Sequence, residues 1–289
     1  TAQAGWLPNI LHKEYELVDY QLVVHVPAMY QVVSTQAPRH SAPGYYTFTG
    51  TTPNIEIGGI AARTFTTLKS DAKGPQVSLV KANQPINAID RQLLENAGKI
   101  IQYQNLIFGS KNPIKNFTLL LPRLNRSASG LLDNAAVIAY SDFNTEKNSE
   151  DLMILAHEIS HKWWGYGAWD NYNNWLNEAF ASYSGLLYLQ AVGDTAGFQK
   201  QLTKRQKLAA SAPAPVLGFE VTKYDYPTRR TVIYDKGTII LYELHQRLGD
   251  KPFFRILTDN AAAQVATTDD FLRIVERESS PATRQWLQA

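Results

Sequence analysis

Apolar and polar residues alternate along 14–35 (EYELVDYQLVVHVPAMYQVVST), the period-two mark of half-buried strands. Shorter runs of the same kind follow at "YYTFTG" (45–50), "NIEIGGI" (54–60) and "QVSLVKA" (76–82), with Pro, Gly and Ser turns between them. Together they predict an antiparallel β unit over residues 1–84, bounded near "NQP" (83–85). Beyond it the period changes. Residues 86–108 space their apolar positions as a helix ended by Gly109, two short strands follow at 116–122 and 135–143, and the remainder reads mostly as helices. "SAPAPVLGF" (211–219) reads as an exposed loop. Strands first and helices afterwards predict an α+β fold, with residues 1–84 as a small β domain and 85–289 as the main body.

One helical stretch carries more than packing information. In "NSEDLMILAHEISHKWWG" (148–165), Ser149 is a suitable N-cap, with Glu150 and Asp151 in the positive first turn. Leu152, Leu155, Ala156, Ile159 and Trp163 make one core face, and Gly165 is a natural stop. His157 and His161 then stand one turn apart on a neighbouring face, where two imidazoles can bind one Zn²⁺ at about 2.0–2.1 Å. Glu158 projects beside them, within reach of a metal-bound water. An HExxH run also occurs as an ordinary helix with two surface histidines, so the rest of the chain has to decide.

A third ligand has two sources. The metzincin pattern is excluded, because Trp164 and Gly167 stand where it needs Gly and His. Asp170 is a carboxylate on a nearby loop, and Glu178 lies in a second helical stretch, "NNWLNEAFASYSGLLYLQ" (173–190). Glu178 shares a face with Ser182, Gly185 and Leu189, and small residues there allow close packing on the first helix. A carboxylate on a packed helix is better preorganised than one on a loop, which favours Glu178.

Composition narrows the chemistry. The chain has no cysteine, which excludes disulfides and thiolate ligands and leaves His, Asp and Glu to hold a metal. A net charge of +2 over 289 residues gives no large single-sign field, so no nucleic-acid partner is expected. The basic cluster "KRQK" (204–207) reads as the solvated face of a helix. No apolar run approaches the roughly 18 residues of a membrane span, so the chain as given is expected to be soluble. It begins at Thr1, as a processed or trimmed product would, and a leader removed on export would leave no trace. His12, His25, His40 and His245 lack metal-ligand spacing. Further on, "TVIYDKGTIILYELHQRLGD" (231–250) reads as a helix with Ile233, Gly237, Ile240, Leu244 and Leu248 on one face, Gly249 as its cap and Tyr234 on a different face. Arg229 and Arg230 just before it are placed to meet a substrate carboxylate, but solvated side chains are the simpler reading.

"HEISHKWWG" followed by "WLNEAFASY" resembles the gluzincin aminopeptidases of the M1 family. The resemblance implies a thermolysin-like zincin catalytic domain preceded by the last strands of a β domain, and one zinc ion per chain. On it, His157, His161 and Glu178 are the zinc ligands and Glu158 the general base. "YDKG" resembles the family segment whose tyrosine donates to the oxyanion, which makes Tyr234 that phenol. "ASGLLDNAAVIAY" (128–140) sits where the family has an edge strand for the substrate backbone and a glutamate for its α-amine. Gly130, Asp133 and Asn134 match that motif, with Asp in place of Glu. Sixteen residues separate His161 from Glu178 where the family usually has eighteen, and Ala179 replaces a Gly. Most of the family's N-terminal domain and its C-terminal helical domain have no counterpart in this sequence. The implied activity is removal of N-terminal residues from peptides. The alternatives are an endopeptidase or other small-amide hydrolase, and a zinc-holding scaffold without catalysis.

Overall fold

Strand β1 (Leu17–His25) turns alternate side chains outward and inward along its whole length. It pairs antiparallel with β4 (Tyr45–Pro53), from Leu17 opposite Pro53 to His25 opposite Tyr45. The computed structural model describes residues 17–53, 56–71, 73–122, 127–140 and 142–289. β3 (His40–Ala42) covers the other side of β4, and β2 (Gln31–Val33) pairs with β5 (Ile60–Ala62) in a separate ribbon. Of the strand expected at 54–60, residues 54 and 55 lie outside the described residues and only Ile60 is in a strand. Glu56 forms a helical turn and 57–59 are irregular.

The second sheet has five strands in the order β6-β7-β8-β10-β9: β6 (Phe65–Lys69), β7 (Gln76–Ala82), β8 (Asn116–Leu121), β9 (Ala128–Leu131) and β10 (Ala135–Ile138). β7 and β10 flank β8 in parallel, whereas β6 and β9 are antiparallel edges. Thus β6 and β7, which the sequence pattern groups with the leading β unit, hydrogen-bond into the downstream sheet. A parallel partner arrives only after a crossover helix, so local periodicity cannot reveal it.

That crossover is α1 (Ala88–Ile107), and its start is fixed by a capping box. The Asn87 side chain accepts from Asp90 N at 3.0 Å, and Asp90 Oδ2 accepts from Asn87 N at 2.9 Å. Lys81 at the end of β7 donates to the same Asp90 oxygen at 2.6 Å, with both side chains buried. Removing either partner would strand the other's charge in the core, a change that typically costs about 3–5 kcal/mol.

The helical part follows: α2 (Ser149–Ser160), α3 (Trp175–Ala191), α4 (Thr195–Ala210), α5 (Tyr226–Arg230), a π-helical stretch (Thr231–Lys236), α6 (Gly237–Leu248), α7 (Asp250–Ala263), α8 (Thr268–Glu278) and α9 (Pro281–Gln288). Two expectations for α2 shift. Its N-cap is Asn148, whose side chain accepts from Glu150 N, and the helix stops at Ser160 rather than at Gly165. It stops early because Trp163 and Trp164 both turn into the core, their indole N–H groups donating to Asn112 O and Ser184 Oγ. The stretch 231–250 is likewise two helical forms joined end to end, not one α-helix. The loop 211–219 is exposed over much of its length, but Val216 and Phe219 are buried. Among the described residues no helix is long and apolar enough to cross a membrane.

Candidate metal centre and its cavity

Helix α3 is the central element of the helical part. Every residue from Trp175 to Leu189 is buried except Glu178, which keeps partial exposure. A helix enclosed on all sides belongs to a core, so its one incompletely covered carboxylate marks an opening. The close approach of α2 depends on Gly185, where an added Cβ would sit 2.7 Å from the Met153 carbonyl oxygen. Close packing through small residues on the Glu178 face is thus realised at Gly185.

That packing brings three side chains to one point. His157 Nε2 and His161 Nε2 are 3.1 Å apart, and Glu178 Oε2 lies 3.5 Å from the first and 3.8 Å from the second. Ligands about 2.0–2.1 Å from a tetrahedral centre stand roughly 3.3–3.4 Å from one another, so the triangle has the size a zinc-type ion requires. Glu178 Oε2 is buried without a hydrogen-bond partner, as a ligand atom awaiting a cation would be. His161 Nδ1 is 2.7 Å from the Trp164 carbonyl, which can only accept. The proton is therefore on Nδ1, and Nε2 presents its lone pair to the centre. His157 Nδ1 is held by Ser182 Oγ at 3.3 Å.

The electrostatics agree with a cation-seeking site. Burial opposes protonation of His161, but Glu178 and Glu158 outweigh it and its pKa lies above the ordinary value. Burial alone would raise Glu178, yet the neighbouring His157 and His161 imidazoles and the Tyr234 phenol bring it down to about 2. Tyr234 is pushed well above the ordinary phenol value by burial and by Glu178, so it stays protonated and able to donate. The π-helical stretch presents it; one widened turn there aims the phenol at Glu178 while Val232 and Ile233 just before it remain in the core.

Glu158 is close enough to both imidazoles to join a cluster whose ligand atoms all lie within 4.8 Å. Asp170 stays in the connecting loop near Asn171 and is outside that cluster. The loop from His161 to α3 is closed by Asn177, which accepts from Gly167 N at 2.9 Å and donates to Gly167 O at 2.7 Å. This clasp carries the short sixteen-residue connection without disturbing either helix.

His157, Glu158, His161, Glu178 and Tyr234 line one cavity of about 450 Å³, together with Ala128, Ser129 and Gly130 of the edge strand β9. Gly130 sits where β9 crosses α2, and a Cβ there would fall 2.0 Å from the Glu158 carbonyl oxygen. Asp133 and Asn134 are not among the lining residues. The Asp133 carboxylate is taken by Thr35 Oγ1 at 2.8 Å and by Gln36 Nε2 at 2.8 and 2.9 Å. Asn134 adopts a left-handed turn conformation, with φ of 54°, leading into β10. The carboxylate that does reach the cavity at this end is Glu56, which accepts from Leu132 N at 2.8 Å and from Thr52 Oγ1 at 3.2 Å. Burial raises its pKa to about 7. No local pattern marks Glu56, because it lies in an irregular segment pinned by residues 76 positions away.

Of the arginines read as solvated, Arg205 differs from expectation and Arg230 is exposed as expected while also lining the cavity. Arg205 of the "KRQK" cluster is buried, not solvated, and lines the cavity. Periodicity could have found it: Phe198, Leu202 and Arg205 continue one buried stripe of α4. Arg230 lies over the Tyr234 ring, its guanidinium carbon 4.6 Å from the centroid.

An α+β fold with an HExxH helix, a glutamate on the next helix and a tyrosine across the cavity defines a gluzincin-type architecture. The description "Peptidase family M1 domain" matches residues 94–287, and the chain belongs to that family. It is 26% identical over 236 residues to aminopeptidase N of Lactococcus lactis subsp. lactis, covering 73% of this chain and 27% of that protein. It is 27% identical over 178 residues to endoplasmic reticulum aminopeptidase 2 of Bos taurus, 55% of this chain and 18% of the other. The chain thus spans about a quarter or less of these relatives. Its fold matches an M1 zinc metallopeptidase from Deinococcus radiodurans, with a TM-score of 0.74 at 18% identity over 98% of this chain and 66% of that one. A variant of that protein bound to a Tyr-Ser-Ala substrate matches with a TM-score of 0.71 at 17% identity, over 95% and 64% of the two chains.

Proposed function

We propose that this chain is a zinc-dependent aminopeptidase, with His157, His161 and Glu178 holding one zinc ion. The observation that carries the reading is the Nε2–Nε2–Oε2 triangle, closed by a buried carboxylate oxygen with no other partner. A zinc ion held there supplies Lewis acidity to the scissile carbonyl and lowers the pKa of attacking water towards ~7. Glu158 takes the proton from that water and passes it to the leaving amine. The phenol of Tyr234, kept protonated by burial, donates to the developing oxyanion. Edge strand β9, with Gly130 at the crossing over Glu158, pairs with an extended substrate backbone. The α-amine is received by Glu56, whereas Asp133 and Asn134 shape the turn whose amides hold Glu56 in place. The chain is read as two units, the leading strands β1–β5 and a catalytic body that begins at β6, where hydrogen bonding changes sheets.

The relatives named as aminopeptidases and the peptide-bound structural neighbour support this substrate class. The test is metal content together with turnover of leucyl-anilide and its N-acetylated form. Stoichiometric zinc and selective cleavage of the free amine are expected. Equal cleavage of the blocked substrate would replace the aminopeptidase reading by an endopeptidase one, and material that takes up no zinc would end both.

A further inference from the structure

The cavity has two ends of opposite sign, and the metal triangle lies between them. Where β9 crosses α2, Gly130 stands against Glu158. From there the chain leaves β9 and reaches Leu132, whose N–H is bonded to Glu56, near His161 and Gly165 just beyond the C-terminal end of α2. In the other direction lie Ala128, Ser127 and Tyr140, with Met153 and Ile154 one turn before His157. One turn earlier again, Glu150 of α2 is paired with Lys204 of α4 at 3.5 Å, which fixes the middle of α4 at this far end. Arg205, next in sequence to Lys204, enters the cavity here, and Arg230, Tyr226 and Tyr234 close it.

Arg205 is an expensive residue to bury. It is only 6% exposed, and its Nε has no hydrogen-bond partner. Nη1 donates to Gln201 O at 3.2 Å and to Gln201 Oε1 at 2.9 Å, both neutral acceptors. Its nearest paired carboxylate oxygen, Asp235 Oδ1, stands 3.9 Å from Nε, too far for a hydrogen bond. Asp235 is shared as well, since Arg205, Arg230 and Lys204 all act on its charge. Two guanidiniums therefore line the cavity, one buried and one exposed, with Asp235 as the carboxylate whose charge they share, which leaves this end net positive. Buried charges are normally paired and hydrogen-bonded, so an under-satisfied guanidinium lining a substrate cavity is a site for an anion.

We infer that Arg205 and Arg230 form a carboxylate-binding subsite on the leaving-group side of the scissile bond. This rests on the aminopeptidase reading and deepens it: the amine end of the peptide lies at Glu56, and a negative charge one or two residues beyond the cut lies at the arginines. The carboxylate has two possible sources, the free C-terminus of a very short peptide or an acidic side chain just after the cleaved bond. Both present the same planar pair of oxygens to a guanidinium.

The sources separate in two substrate pairs measured on the zinc-loaded protein: Leu-Ala against Leu-Ala-amide, and Leu-Asp-amide against Leu-Asn-amide. Leucyl-anilide, which has no carboxylate, serves as reference. The expected result is a kcat/KM roughly tenfold or more higher for the charged member of at least one pair, the size of effect a charge-assisted bidentate contact gives. Preference in the first pair assigns the C-terminus, and preference in the second assigns the side chain. In Arg205→Met and, separately, Arg230→Gln, that ratio should fall towards one. Arg230 is exposed, so its replacement keeps the test valid if the buried Arg205 variant fails to fold. Wild-type protein that cleaves the anilide but treats both pairs alike within about twofold would overturn the subsite and leave the aminopeptidase reading intact. So would a ratio that survives in Arg230→Gln and in folded Arg205→Met. No cleavage of any substrate, anilide included, would overturn the aminopeptidase reading and this subsite with it.

Discussion

The two walls of the cavity are built differently. One is the α2–α3 pair, in which the proposed ligands His157, His161 and Glu178 come from two adjacent, core-packed helices and the C-cap of the first, within 22 positions of sequence. The other is assembled from an edge strand, an irregular segment at Glu56 and a turn at Asp133, held by side-chain bonds spanning 76 to 98 positions. Chemistry on the first wall is set by helix period and is rigid. Recognition on the second is set by tertiary bonds among short elements. Substitutions should therefore divide into those that abolish turnover and those that change which end of a substrate is held.

The largest effect is expected on the helical wall. Glu158→Gln should keep bound zinc and lower kcat by about 10²–10⁴-fold, the usual contribution of a positioned acid–base group. Metal analysis beside initial rates checks this, and turnover within a few-fold of wild type would remove Glu158 from the proton path. Tyr234→Phe comes next. It should cut kcat by roughly 10²–10³-fold with little change in KM, because the donor acts on charge that develops only in the transition state. A rise in KM alone would mean that Tyr234 merely binds the substrate.

On the opposite wall, Glu56→Gln should lower kcat/KM for free-amine substrates by about 10–100-fold, the range for losing a charged hydrogen bond, and affect N-acetylated ones little. Burial holds the Glu56 pKa at about 7, so its carboxylate forms as pH rises through that value. A limb of kcat/KM rising near pH 7 should accordingly flatten in the variant. The stability sign is opposite. A raised folded-state pKa favours the fold fully below the ordinary carboxylate range, near pH 4.3, and that contribution is lost as pH rises through about 7. The melting temperature of Glu56→Gln should thus gain on wild type between pH 5 and pH 9, and parallel curves would contradict the buried, protonatable carboxyl. The smallest effect is expected at Asp133→Asn, within roughly twofold in kcat/KM, because Thr35 and Gln36 already occupy its carboxylate. A tenfold loss there would return the amine-holding role to Asp133.

What could be read from the sequence follows the same division. His157, His161, Glu158 and Glu178 are legible because a helix places residues at fixed angles, and the small residue Gly185 announces a close neighbour. Tyr234 is visible only through its resemblance to a family segment, since periodicity alone would make it a packing residue. Glu56 is beyond reach because its partners, Leu132 and Thr52, include a residue in the turn after β9, 76 positions away. Asp133 drew attention through its motif, but its partners at Thr35 and Gln36 come from a distant loop that no local rule supplies. Arg205 was concealed by its neighbours: four polar residues in a row look solvated until the stripe through Phe198 and Leu202 is extended. Strand β7 is legible as a strand but pairs outside the leading β unit, and β6 is not marked by the pattern at all, because pairing partners are chosen by topology.

The widened turn at Thr231–Lys236 gives the phenol a degree of freedom separate from the core. Each residue of a regular α-helix advances by about 100°, so deleting one position from that turn would swing Tyr234 off the cavity by about that angle while α6 kept its seat. The reach of the Tyr234 phenol is therefore encoded in helical register, and on the proposed function an insertion or deletion of a single residue there should abolish turnover with the melting temperature barely changed.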